Sequence, residues 1–294
     1  MQDASGALRD IVLGPPGSDH AARLAHYAQV TGQEVPGNPG AWVPASAGPE
    51  AEALAQLVME AYPAVPAAVL RRRLGSLRVA AASRVRAAGS TAPLLRAGGG
   101  AVDVLARQHP HAGFFALEAL ELSHPRFDGG RSPRLHREVF VAGDAVTVLP
   151  YDPIRDRVLL IEQFRMGPFG RGDAHPWQLE AIAGRIDPGE TPEDAARREA
   201  VEEAGLVLGA LEKVAEYYPT PGAVTEYLYS YVAFCDLPDG VAGVFGAAEE
   251  AEDIKGHLVS FDRLLDVVAA GEIGNAPLLL TVLWLQRERP RLRG

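Results

Sequence analysis

The chain has 294 residues, a formal net charge of −10, 47% hydrophobic and 22% charged residues. That is the profile of a soluble globular protein large enough for more than one unit, and its acidity speaks against a nucleic-acid grip or an anionic membrane surface. A phosphorylated small substrate stays open, because local arginines or a metal outweigh a global field. Cys235 is the only cysteine, so an intrachain disulfide and a cysteine-based zinc site are both excluded. The start carries no leader pattern and no apolar run reaches the ~18 residues needed to span a bilayer, so a cytoplasmic location without membrane contact is expected. Lysine occurs only at Lys213 and Lys255; the other basic residues are arginine.

In chain order, the first hundred residues are Ala- and Arg-rich, with breaks at Gly14-Pro15-Pro16-Gly17 and Pro36-Gly37-Asn38-Pro39-Gly40. Apolar spacing predicts helices over 20–30, 50–61 and 67–88. Arg71, Arg72, Arg73, Arg78, Arg84 and Arg86 read either as a basic patch or as solvated and ion-paired arginines, the second being the commoner outcome in an acidic chain. Gly98-Gly99-Gly100 is a flexible join. From His111 the pattern turns strand-like. Residues 114–122 and 136–141 alternate as antiparallel strands about the turn Asp128-Gly129-Gly130, and 145–149, 157–163, 177–183, 211–218, 226–234 and 254–260 follow as strands. Residues 261–270 and 276–289 close the chain as helices.

The chemistry concentrates between Gly184 and Leu206. Gly184, Pro188 and Gly189 predict a turning loop. Thr191 is a good N-cap, Pro192 suits the first helical position, Asp194 sits three after the cap, and Gly205 supplies a left-handed stop. On the helix between them Glu199, Glu202 and Glu203 share one face, where three carboxylates repel one another. Spacing alone leaves two readings, a solvated acidic face or a divalent-cation site. Oxygen-only donors would favour Mg²⁺ or Mn²⁺ over zinc.

The whole pattern decides between them. Gly184, Glu190 and Arg198-Glu199-Ala200-Val201-Glu202-Glu203-Ala204-Gly205-Leu206 resemble the signature box of the Nudix hydrolases at every specified position. Gly113-Phe114-Phe115, Arg137-Glu138-Val139-Phe140, Ile161-Glu162-Gln163-Phe164-Arg165, Glu180-Ala181-Ile182-Ala183-Gly184, Glu252-Asp253-Ile254 and Pro221 resemble the ADP-ribose pyrophosphatase branch of that family. The resemblance covers about 110–290. The front end is only distantly similar to the tellurite-resistance-associated Nudix proteins. The chain departs from the branch at Ala223, where a second glycine is common, and that bears on which terminal sugar fits.

The resemblance implies an α+β chain: a Nudix fold, an α/β/α sandwich of mixed sheet and helices, preceded by a small antiparallel sheet and a mainly helical N-terminal region. Residues 1–105 would be an accessory region and 106–294 the Nudix domain, with a dimerising sheet over 106–145 and the catalytic core over 146–294. It implies Mg²⁺-dependent hydrolysis of ADP-ribose to AMP and ribose 5-phosphate. Glu199, Glu203, the Ala183 carbonyl and Glu252 would hold metal. Glu202 lies beside them, and Glu250, in the run Glu249-Glu250-Ala251-Glu252-Asp253, would be the base. Arg198 is either a salt-bridge partner orienting a box glutamate, as the resemblance favours, or a substrate contact. Glu190 would have a structural role at the helix entry. Phe114, Arg137, Arg165, Pro221 and Glu226 would bind substrate, in a homodimer whose sites each borrow residues from the partner. Hydrolysis of another nucleoside-diphosphate sugar or dinucleotide, and a non-catalytic ADP-ribose-sensing protein, are the alternatives.

Overall fold

The computed structural model describes residues 4–89, 94–96, 98–113, 115–246 and 252–294. Its contacts divide the chain into two units, residues 1–143 with 220–225, and residues 144–219 with 226–294. The join expected at 105/106 falls within a strand, β1 (Asp103–Ala112).

In the first unit, five helices, α1 (Ala4–Leu13), α2 (His20–Thr31), α3 (Pro49–Glu60), α4 (Ala67–Arg72) and α5 (Leu74–Ala88), enclose a core that includes Leu8, Leu24, Tyr27, Trp42, Val58 and Leu70. Asp19 caps α2 by accepting from the Ala22 N–H at 2.9 Å, and Gly32 ends it at φ 78°. The single helix predicted over 67–88 is broken at Arg73, whose φ of −105° and ψ of 13° separate α4 from α5. The helix α1 (ASGALRDIVL) is not among the predicted helices, although six of its ten residues are apolar and Leu8 and Val12 are fully buried. The strands β1, β2 (Ala116–Ser123) and β3 (Leu135–Val141) form an antiparallel sheet in that order. No alternation announces β1, since most of its residues are exposed or half-buried and it is rich in polar side chains. The segment 220–225 closes on β3, with Phe140 N–H donating to the Ala223 carbonyl at 2.8 Å and Thr225 N–H to the Phe140 carbonyl at 3.0 Å.

The second unit is a mixed sheet between helices. Its strands are β4 (Ala145–Asp152), β5 (Arg157–Phe164), β6 (Trp177–Glu180), β7 (Ile182–Arg185), β8 (Leu211–Tyr217), β9 (Leu228–Phe234), β10 (Val244–Phe245) and β11 (Ile254–Ser260). The path runs β10-β11-β5-β4-β9-β8, with β6 on β5 and β7 on β4. The central pair β4 and β9 is parallel, and β4 is buried along its whole length, as a strand covered on both faces must be. The one strand expected over 177–183 is two, because the chain changes partner from β5 to β4 at the buried Ala181.

Helix α6 (Met166–Arg171) follows β5. One face of the sheet packs on α7 (Pro192–Ala204) through Val146, Val148, Leu159, Ile161 and Ile182. The other face packs on α8 (Phe261–Ala269) and α9 (Ala276–Arg293) through Leu149, Leu160, Phe261, Leu278 and Leu285. Asp156, a non-glycine residue at φ 56°, fastens α9: it accepts from Tyr151 Oη at 2.8 Å and Arg289 Nε at 2.9 Å, and pairs with Arg293 at 2.6 Å. No helix among the described residues is long and apolar enough to cross a membrane.

Candidate active site

The acidic helix is placed by its ends and by its small side chains. Thr191 Oγ1 accepts from the Asp194 N–H at 3.1 Å. At the other end Gly205, at φ 62°, and Leu206 return their N–H groups to Val201 and Ala200. Ala195, Ala196, Ala200 and Ala204 are essentially buried, so α7 lies close on the sheet with no bulky side chain to hold it off. This sets Glu203 inward, only 3% exposed, while Glu199 is half-buried and Glu202 lies at the surface.

Two backbone features meet these acids. The Ala183 N–H donates to Glu203 Oε2 at 3.0 Å, which ties the helix to β7. Gly184 is part of β7 and not of the turn; its φ is ordinary, and what it provides is room. A Cβ there would meet Glu199 Oε2 at 2.5 Å and its other carboxyl atoms closer still, so glycine is required for close approach and not for turning. The turning glycine is Gly189, at φ 82°.

Arg198 organises the carboxylates. Its Nε and Nη2 donate to the two oxygens of Glu190 at 2.9 and 3.0 Å, a bidentate pair. Nη1 reaches Glu199 at 2.7 Å and Glu202 at 3.0 Å, and Nη2 also donates to the Arg185 carbonyl at 3.0 Å. One guanidinium thus links the entry loop, β7 and two helix acids. Arg198 is thus engaged by three carboxylates in this structure. The Glu190 pairing, first among several carboxylates, holds Arg198 protonated more firmly still, and Arg198 in turn holds the Glu190 carboxyl below the usual range. Glu190 also accepts from the Asp187 N–H at 3.0 Å, as a residue shaping the helix entry should.

Burial acts the other way on the inner acids. It raises Glu199 despite Arg198, and it pushes Glu203 up to about 8, with the charges of Glu199 and Glu252 adding to the effect. Glu252, on the strand side, therefore belongs electrostatically to the same cluster. Burial disfavours the charged forms of these acids, a cost that a divalent metal bound to them would relieve. The donors are all hard oxygens, so the residues fit Mg²⁺ or Mn²⁺ better than a softer ion. Among the described residues no three His, Cys, Asp or Glu side chains are already converged as a ligand set. The reason is visible in the bonds above: Glu199 and Glu202 face Arg198, and Glu203 faces the Ala183 amide.

Arg165 binds Glu180, with Nε to Oε2 at 2.8 Å, and its charge is felt at both Glu203 and Glu226. Glu226 is raised by burial. Glu180, which carries no expected role in the sequence, is the residue that holds Arg165. Arg137 and Pro221 belong to the first unit, where Arg137 is exposed and donates to the His136 carbonyl at 2.8 Å. Phe114 and Glu250 lie outside the described residues.

An acidic helix with one acid buried, organised by one arginine and packed on a mixed sheet, is the arrangement that meets the comparisons with known proteins. Residues 142–281 match the family model described as NUDIX domain. The chain is 38% identical over 193 residues to the ADP-ribose pyrophosphatase of Escherichia coli (strain K12), covering 66% of this chain and 91% of that protein. It is 36% identical over 194 residues to the protein of the same name from Haemophilus influenzae, covering 65% and 89%. It is 34% identical over 157 residues to the GDP-mannose pyrophosphatase of Enterobacter sp. (strain 638), covering 53% and 81%. A solved structure titled "Crystal structure of ADP compounds hydrolase" aligns with a TM-score of 0.49 at 20% identity, over 66% of this chain and 95% of that one. This chain belongs to the Nudix family.

Proposed function

We propose that this protein hydrolyses the diphosphate linkage of ADP-ribose, releasing AMP and ribose 5-phosphate, with Mg²⁺ as its metal and Mn²⁺ as a substitute. The observation that carries the reading is the α7 cluster, Arg198 clamping Glu190, Glu199 and Glu202 beside the buried Glu203, in a chain whose relatives above include two ADP-ribose pyrophosphatases.

Glu199, Glu203, Glu252 and the Ala183 carbonyl would hold the metal, which when bound neutralises diphosphate oxygens as charge builds on them. Arg198 then has a positioning role: its bond to Glu199 fixes one ligand, and its grip on Glu190 fixes the loop between β7 and α7. Glu250 would take the proton of the attacking water, with Glu202 close by. Arg165, aimed by Glu180, would reach the diphosphate, and Glu226 the terminal ribose. Phe114, Arg137 and Pro221 would complete the substrate pocket across a homodimer built on the three-stranded sheet.

GDP-mannose is the second reading, supported by the relative of that specificity and by Ala223 in the loop near the expected terminal sugar. The test is AMP or GMP release from ADP-ribose, GDP-mannose and NADH by purified protein with Mg²⁺. ADP-ribose should give the highest kcat/KM; preference for GDP-mannose would replace the substrate, and tight ADP-ribose binding without turnover would favour a sensor. A monomeric mass in solution would remove the shared-site dimer.

A further inference from the structure

The first unit contains a feature that the α7 site does not use. A cavity of about 240 Å³ is lined by Val69, Arg72, Arg73, Ser76, Ala112 and Gly113, where α4 gives way to α5 at the end of β1. Two arginines and a serine are its polar lining residues. At ~30 Å³ per water molecule, the space equals about eight waters, more than a bare phosphate needs.

Five arginines of the unit pair with an acid. Arg84 pairs with Glu60, Arg107 with Glu118, Arg126 with Asp128, Arg131 with Asp103 and Arg134 with Glu121. Arg71 instead donates to the Gln29 carbonyl at 2.9 Å. Among the described residues, neither Arg72 nor Arg73 has a carboxylate at ion-pair distance, and Arg73 Nε is buried with no hydrogen-bond partner. Glu118 is the acid whose field reaches Arg73, but its carboxylate is engaged by Arg107. Arg73 Nε is thus a buried donor beside the cavity that an anion placed there could satisfy. The first turn of α5 has no side-chain cap, which adds a favourable field for an anion at the same corner.

We propose that Arg72, Arg73 and Ser76 form a binding site for a phosphate monoester or inorganic phosphate, separate from the α7 cluster. The two forked cations supply charge and planar donors, Ser76 supplies a neutral donor, and Val69 and Ala112 give an apolar wall for a small organic group. A shared terminal phosphate is the recognised chemistry, whether it arrives as the free ion or as an ester.

The test uses the full chain with EDTA, titrated calorimetrically with inorganic phosphate, ribose 5-phosphate and AMP. Saturable binding should be weakened tenfold or more by Arg73→Met and by Arg72→Met, and by a smaller factor in Ser76→Ala. Equal affinity for all three ligands would identify the free ion, and tighter binding of an ester would show the cavity used; both support the site. Should Arg73→Met fail to fold, Arg72→Met and Ser76→Ala decide, since neither side chain is buried. Undiminished binding by the Arg72 and Ser76 variants overturns the proposal, as does the absence of heat at millimolar phosphate. Binding lost in Glu203→Gln but kept in the arginine variants would put the anion at α7 and overturn it equally.

Discussion

Replacing Gly184 with alanine puts a methyl group where the Glu199 carboxylate now lies. The nearest tolerable position follows from the contact distance: Oε2, at 2.5 Å from the new Cβ, must retreat to at least 3.4 Å, and the other carboxyl atoms further, so the group moves by about 1 Å or more. Because the obstacle is the far end of a flexible side chain, the backbone need not shift. The cost to folding is therefore small. Loss of the 2.7 Å bond to Arg198 removes about 1–2 kcal/mol, and the stiffer unfolded chain returns about 0.4–1 kcal/mol. A net change near 1 kcal/mol moves Tm by about 3 °C in a protein of this size. The effect on chemistry is much larger, since a ligand misplaced by ~1 Å lowers turnover by about 100-fold. Steady-state AMP release and a thermal melt on the same preparation measure both. Gly75→Ala is the control: nothing lies within 4 Å of its Cβ in α5, so it should gain about 0.5–1 kcal/mol with activity unchanged. Wild-type turnover by Gly184→Ala would refute the placement of Glu199, and an activity loss that merely follows unfolding would refute the separation of the two effects.

The remaining expectations concern the same cluster and the supports of the fold. Glu203→Gln should lose most activity and most of the Mg²⁺-induced rise in Tm while staying folded, because the amide oxygen can still accept from the Ala183 N–H; equal turnover would remove Glu203 from the metal set. Thr191→Ala should cost about 1 kcal/mol in chemical denaturation through loss of the α7 cap, and no change would mean the Pro192 start alone suffices. Asp156→Asn should cost about 1–3 kcal/mol at neutral pH by loosening α9. Arg289, first among its partners, holds the Asp156 carboxyl below its ordinary 3.8. Its contribution is thus complete above about pH 4 and lost as the pH falls through the lower folded value. A denaturation series across that acid range should show the component in the wild type and not in the variant.

Much of the site was legible because it is local. The cap at Thr191, the stop at Gly205 and the shared face of Glu199, Glu202 and Glu203 all follow from helical spacing, and each is found where it was expected. Glu190 was expected at the helix entry, but its pairing with Arg198, eight residues on, depends on how the loop folds back. Gly184 was read as a turn residue and is a clearance residue, because the atom it must avoid belongs to another element. Glu180 was missed as the partner of Arg165 since the pair forms only when β6 lies beside β5. The strand β1 was missed because its burial pattern lacks alternation, and the helix over 67–88 was read as unbroken because nothing local marks Arg73.

The amino-acid order by itself determined the acidic helix, its caps, the spacing of its carboxylates and the run of strands around it, since these rest on backbone propensities and interactions within a few residues. The tertiary structure alone decided how deeply each acid is buried, which of them Arg198 holds, and that Arg72 and Arg73 have no carboxylate partner among the described residues. Those are matters of desolvation and of charge brought together across distant segments, and both depend on the packed environment more than on neighbours in the chain.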